Sequence, residues 1–116
     1  MKTVLIVEDD DSYRKMLYEE LLSEGYHPLT AANGKVAIDM VQNKQIDLIL
    51  LDLLMPELDG TDFYYQLKHK LKKKIPIIIL TNVTTAAAYD HDIVKDVMIK
   101  ADVSLEKLTT RIKELV

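Results

Sequence analysis

Four sets of polar side chains each follow a short apolar run in this chain. The acidic quartet Glu8, Asp9, Asp10 and Asp11 comes after residues 4–7, Asp52 after 48–51, Thr81 after 77–80, and Lys100 after 97–99. Three carboxylates brought into one crevice would repel one another, so such a place must hold protons or recruit a small multivalent cation. A divalent metal is the simpler answer. The donors at these positions are oxygens, with neither His nor Cys among them, which favours a hard ion that keeps several waters: Mg²⁺ or Mn²⁺, and not Zn²⁺. A metal beside a carboxylate, a hydroxyl and an ammonium supplies the positioning and charge neutralisation that phosphoryl transfer needs. In that chemistry Asp52 is the nucleophile, its carboxylate able to form an acyl phosphate.

These side chains meet only if the elements carrying them share one edge. β-branched or leucine-rich runs at Thr3–Val7, His27–Ala31, Leu48–Leu51, 77–80 and, more weakly, 97–99 alternate with longer amphipathic segments. That alternation predicts a parallel sheet with helices on both faces. Tyr13, Leu17 and Leu21 form one helical stripe, Val36, Ala37, Met40 and Val41 a second, and Tyr64, Leu67 and Leu71 a third. In the last helix Leu105, Leu108, Ile112 and Leu115 recur at helical spacing, with Ser104 as its cap and Glu106 in its first turn. A short helix is expected within 84–96, where Ala86 to Ala88 favour helix against a turn-forming background. In an open parallel sheet, ligands bind outside the carboxyl ends of the strands, and Glu8, Asp9, Asp52, Thr81 and Lys100 all fall at that rim.

Each residue also has a plainer reading. Asp10 and Asp11 can serve only as cap and dipole complement ahead of Ser12. Asp59 and Gly60 read as a turn in which Gly60 permits positive φ, with Met55 and Pro56 shaping the same loop. Thr81 alone could be an ordinary strand end and Lys100 alone a surface lysine. The basic run Lys68, His69, Lys70, Lys72, Lys73 and Lys74 suits a solvated helix end. His27, His69 and His91 show no ligand spacing.

The totals set outer bounds. A chain of 116 residues fits one domain, 1–116, with no room for an output domain. The formal net charge of -4 argues against a nucleic-acid binder, which needs a clustered excess of Lys and Arg. The absence of cysteine rules out disulfides, thiolate zinc sites and cysteine nucleophiles, and suits a reducing cytoplasm. The apolar run at 4–7 is too short for a signal peptide or membrane span, so a cytoplasmic protein without membrane contact is expected.

Taken in order, Val-Glu-Asp-Asp at 7–10, Asp-Leu-Ile-Leu-Leu-Asp-Leu-Leu-Met-Pro-Glu-Leu-Asp-Gly at 47–60, Pro-Ile-Ile-Ile-Leu-Thr at 76–81 and then Lys100 resemble the receiver domains of two-component response regulators over nearly the whole chain. The resemblance implies a flavodoxin-like (βα)5 doubly wound sheet with strand order 2-1-3-4-5. It implies that Glu8 and Asp9 hold Mg²⁺, that Asp52 is phosphoacceptor and third carboxylate, and that the backbone carbonyl of Leu54 completes the protein ligands. Thr81 would contact the phosphoryl oxygens and Lys100 would pair with them. The implied donor is a sensor histidine kinase or a histidine phosphotransfer protein. The readout would be contact with a downstream protein, and a homodimer remains open.

Three departures from the family pattern stand out. Val97 occupies the place where many receivers carry an aromatic switch residue, leaving Thr81, the backbone or Tyr89 to relay any movement. Ala101 follows Lys100 where proline and a cis bond are common; since a non-proline cis bond costs about 2.5–4 kcal/mol, a trans loop of altered path or a strained one is expected. Asn82 replaces the usual small residue after the threonine, and the segment from Thr81 to Lys100 is short. These departures keep open a phosphorylation-independent docking or dimerisation module. An Mg²⁺-dependent phosphohydrolase with an aspartyl-phosphate intermediate is disfavoured, because Leu53 and Leu54 leave no acid two residues beyond Asp52. The expected role is signalling, with no catalysis beyond the domain's own phosphorylation and dephosphorylation.

Overall fold

A computed structural model describes residues 1–53, 60–82, 90 and 92–116. Five strands, β1 (Thr3–Val7), β2 (His27–Ala31), β3 (Leu48–Leu51), β4 (Ile77–Thr81) and β5 (Val94–Ile99), form one parallel sheet in the order β2-β1-β3-β4-β5. This is the doubly wound order that the resemblance implies. Four α-helices lie among the described residues: α1 (Asp11–Ser23), α2 (Gly34–Asn43), α3 (Gly60–Tyr65) and α4 (Leu105–Leu115).

The central strands are apolar at nearly every position because both of their faces are covered. Successive side chains point to opposite faces, and the core divides accordingly. Leu5, Val7, Ile49, Leu51, Ile77 and Ile79 pack with Ala37 and Val41 of α2 and Phe63 and Tyr64 of α3. Val4, Ile6, Leu48, Leu50, Ile78 and Leu80 pack with Leu17 and Leu21 of α1 and Leu108 and Ile112 of α4. The stripes expected in the first and last helices are therefore core, with Tyr13, Leu105 and Leu115 at its margin. Val36, expected in the second stripe, is exposed.

Local chemistry sets the helix ends. Asp10 accepts the Tyr13 N–H at 3.1 Å, Asn33 accepts that of Val36 at 2.9 Å, and Ser104 accepts that of Lys107 at 3.1 Å. Each side chain thus satisfies a first-turn donor. After α1, Gly25 adopts φ 87° and the Tyr26 N–H returns to the Leu21 carbonyl at 3.0 Å, turning the chain into β2.

Three local expectations need correction. The strand expected at 97–99 begins at Val94, so residues 94–96 of the expected 84–96 helix are strand; β-branched Val94 pairs beside Ile77. Residues 83–89 and 91, including Tyr89 and His91, lie outside the described set, so the rest of that helix does too. The third helix does not continue in α form through Leu71: after Tyr65 it becomes a π-helical turn, Gln66–Lys70, and Lys72 takes φ 52°. Finally, Gly60 is not at positive φ. A Cβ there would stand 2.2 Å from the Asp52 carbonyl oxygen and 2.6 Å from Leu53 Cα, so close approach of the backbones is what requires glycine.

Candidate functional site

The strand ends fix the polar groups. The Glu8 N–H donates to the Ala31 carbonyl at 3.0 Å, the Asp52 N–H to that of Val7 at 3.0 Å, and the Lys100 N–H to that of Thr81 at 2.9 Å. The ladder thus runs one step past the apolar residues and seats Glu8, Asp52 and Lys100 side by side at the carboxyl edge, with Thr81 closing β4. Glu8 is 2% exposed, Asp52 6% and Thr81 0%. Behind Asp52, Gly60 packs against the backbone and its N–H donates to the Leu53 carbonyl at 3.0 Å.

Lys100 ties the cluster together. Its Nζ forms an ion pair and hydrogen bond with Glu8 Oε1, stands 3.4 Å from Asp52 Oδ2, and lies 4.6 Å from the centroid of the Tyr13 ring. Tyr13 therefore offers the ammonium a π face. Glu8, Asp9 and Asp52 each present a carboxylate oxygen, all within 4.8 Å of one another, and Asp9 is the exposed member. Among the described residues these are the acids grouped closely enough to share a metal ion. Opposite ligands of an octahedral Mg²⁺ stand about 4 Å apart, so this all-oxygen set fits one hard cation with little contraction or with one bridging water. Asp10 and Asp11 are not in the group: Asp10 caps α1 and Asp11 pairs with Arg14.

Burial and the adjoining Asp52 carboxylate push Glu8 up to about 7, the Lys100 ammonium offsetting only part of their effect. For Lys100, burial opposes the charge, but Glu8 and Asp52 outweigh it and raise the pKa above the usual lysine value. The ammonium stays charged at neutral pH, and the site contains a carboxyl whose ionisation is poised near neutrality.

Several contacts here were not read from the sequence. Tyr13 counted only as part of a core stripe; its position four residues after Asp9, in the first turn of α1, is the signal that it faces the strand ends. Arg14 Nη1 donates to the Glu8 carbonyl at 2.8 Å, bracing the β1–α1 junction. Asn82 Oδ1 accepts the Ala101 N–H at 3.1 Å. That bond unites two of the departures from the family pattern, and no peptide bond among the described residues is cis. The loop after Lys100 is thus the trans alternative. Val97 is 43% exposed. Leu54, Met55, Pro56 and Asp59 lie outside the described residues, and with them the expected carbonyl ligand.

The family model for the response regulator receiver domain matches residues 4–113. Over 80 residues the chain is 36% identical to the alkaline phosphatase synthesis transcriptional regulatory protein PhoP of Bacillus subtilis, covering 69% of this chain and 33% of that protein. A probable transcriptional regulator, ycf27, of Cyanidium caldarium is 42% identical over 80 residues, which are 67% of this chain and 30% of that one. The chain thus spans about a third of the length of these curated relatives. Among solved structures, the response regulator TrrA of Thermotoga maritima, crystallised with Mg²⁺ and BeF, superposes with a TM-score of 0.87 at 31% identity, with all of both chains covered. The chemotaxis protein CheY4 of Vibrio cholerae gives 0.83 at 27% identity, covering 100% of this chain and 99% of that one. With its acidic edge, its strand order and a family match over nearly its whole length, the chain belongs to the response regulator receiver domains.

Proposed function

We propose that this receiver accepts a phosphoryl group on Asp52 from a phosphohistidine donor, a sensor histidine kinase or a histidine phosphotransfer protein, and passes the signal on by protein contact. The observation that carries the reading is the convergence of Glu8, Asp9 and Asp52 within 4.8 Å at a strand edge where Lys100 reaches both buried acids. Asp52 supplies the attacking oxygen. The new bond joins that oxygen to phosphorus, the bond from phosphorus to the donor imidazole breaks, and the imidazole nitrogen keeps the electron pair. Lys100 lies where its ammonium can pair with the oxygens of the transferred group, and Thr81 closes the neighbouring strand as the hydroxyl donor to them.

Glu8, Asp9, Asp52 and the Leu54 backbone carbonyl are the proposed ligands of Mg²⁺, with Mn²⁺ a substitute of the same hard-oxygen preference. When bound, the ion offsets the negative charge that gathers between the carboxylates and the incoming phosphoryl group. Glu8 and Asp9 would anchor it from the β1 end, Asp9 being the exposed member of the set. The Mg²⁺ and BeF bound to TrrA support this assignment by similarity.

The proposed setting is cytoplasmic, and residues 1–116 are read as one receiver unit. Among the described residues, no helix is long and apolar enough to cross a membrane. A second reading, a docking or dimerisation module independent of phosphorylation, draws on the exposed Val97 in place of an aromatic switch. Intact mass after incubation with Mg²⁺ and acetyl phosphate separates the two. Gain of one phosphoryl group by the wild type, absent from Asp52→Asn and from a metal-free control, is the expected result; no gain in any sample favours the docking module.

A further inference from the structure

We propose that Asn82 is a positioning residue for Lys100, holding the β5–α4 loop by a side-chain bond that a proline at position 101 would forbid. The inference rests on the reading of Lys100 as the partner of the phosphoryl oxygens. It begins from the hydrogen bonds around the loop. The Lys100 N–H donates to Thr81, closing the β4–β5 ladder, while the N–H groups of Asp102 and Val103 both donate to the Ile99 carbonyl at 3.0 Å. Between them stands the Ala101 N–H, which neither the ladder nor the turn uses. It points across to the residue just past β4, where Asn82 Oδ1 accepts it at 3.1 Å.

The position of that bond gives it leverage. Asn82 follows Thr81 directly, and Ala101 follows Lys100 directly, so a single side chain joins the two strand ends just beyond the two groups proposed to meet the phosphoryl oxygens. The ladder alone leaves the peptide plane between Lys100 and Ala101 free to rotate at its far end. With its N–H held by Asn82, that plane is fixed, and the backbone is tied on both sides of the Lys100 Cα, by its own N–H to Thr81 and by the next N–H to Asn82, which limits how far that Cα and its side chain can swing. The Tyr13 ring, 4.6 Å from Nζ, limits the other end of the same side chain. Two constraints, one on the backbone and one on the ammonium, define a path that leads to Glu8 and Asp52. The asparagine and the non-proline residue therefore work as a pair, Asn82 accepting the N–H that Ala101 donates and that a proline would lack.

The test compares Asn82→Ala, Asn82→Asp, which keeps an acceptor oxygen, Lys100→Ala and the double variant Asn82→Ala/Lys100→Ala. In the resting protein, exchange of the Ala101 amide should speed up about tenfold in Asn82→Ala and return toward the wild-type rate in Asn82→Asp, as expected for loss and recovery of one hydrogen bond. The ¹⁵Nζ resonance of Lys100, visible only while the ammonium is held, should broaden in Asn82→Ala. With Mg²⁺ and acetyl phosphate, Asn82→Ala should phosphorylate roughly five- to tenfold more slowly than wild type, yet cause no further loss once Lys100 is alanine. Unchanged Ala101 exchange and an unchanged Nζ signal in Asn82→Ala would overturn the proposal, as would an equal loss of rate with and without Lys100. If the wild type takes up no phosphoryl group, the reading of the site fails, and the two resting-state signals still decide whether Asn82 positions Lys100.

Discussion

Lowering the pH from 8 to 6 should weaken Mg²⁺ binding about tenfold, through Glu8 alone. Glu8 is buried beside Asp52, and burial first, then that second acid, lift it from 4.5 to about 7. At pH 8 roughly nine molecules in ten carry it ionised and at pH 6 roughly one in ten, and only the ionised form offers the ion a ligand. The same displacement affects folding. A carboxyl whose pKa is higher in the folded state binds its proton more tightly there than in the unfolded chain, so stability is greatest below about 4.5 and falls as pH rises through about 7. The interval between those values corresponds to a contribution on the order of 3 kcal/mol. Calorimetric Mg²⁺ titration at several pH values, repeated in buffers of different ionisation enthalpy, measures both the dissociation constant and the protons released. Near pH 7 about half a proton should leave per ion bound. Glu8→Gln should bind more weakly but with little change in affinity between pH 8 and 6. A wild-type affinity that stays flat over that range, with no proton released, would refute the assignment of the titration to Glu8.

Gly60→Ala should lower stability by roughly 1–3 kcal/mol or more in urea denaturation, because its Cβ would meet the Asp52 carbonyl oxygen at 2.2 Å. A change under about 0.5 kcal/mol would mean that the backbones separate freely. Lys100→Met leaves Glu8 and Asp52 without their cation and should cost roughly 3–5 kcal/mol at pH 8, with a smaller loss at pH 6 where Glu8 takes up a proton. Denaturation curves at the two pH values check the difference, and equal losses would count against the ion pair. Lys73 Nζ donates to the Val41 carbonyl in the last turn of α2 at 2.8 Å, so Lys73→Ala should cost about 1 kcal/mol, whereas exposed Lys107→Ala should cost under about 0.5 kcal/mol. Paired thermal melts distinguish the two.

The sheet and the acidic edge were legible because the features that define them are local in sequence. Apolar runs of four residues mark β1, β3 and β4, and Glu8, Asp52 and Thr81 each follow one of them by a single position, so strand direction alone carries these three to one rim, where Lys100 joins them from the end of the weaker β5. The helix caps Asp10 and Ser104 were legible for the same reason, since a cap acts on a donor three residues away. What escaped depends on residues far apart in the chain. Tyr13 meets Lys100, Lys73 reaches Val41, and Asn82 holds Ala101 across nineteen positions. The early start of β5 was hidden because Asp92, Lys95 and Asp96 dilute its apolar pattern; pairing of Val94 with Ile77 overrides the local preference. The role of Gly60 was read from its turn-forming habit, while the cause is the backbone of Asp52 and Leu53, earlier in the sequence but in contact with it.

β2 ends the sheet, and Pro28 sits within it beside Val4. The His27 N–H points inward, to the Lys2 carbonyl at 2.8 Å, so by alternation the Pro28 nitrogen faces outward. At that point the margin lacks a hydrogen to offer. A further strand arriving from another chain would find the row of donors interrupted at the second residue of a five-residue strand, and a ladder there could not run its length. Proline in this one place costs the native ladder nothing, because the bond it cannot make is one that the sheet never needed. It also makes the outer margin of β2 a poor template for edge-to-edge aggregation.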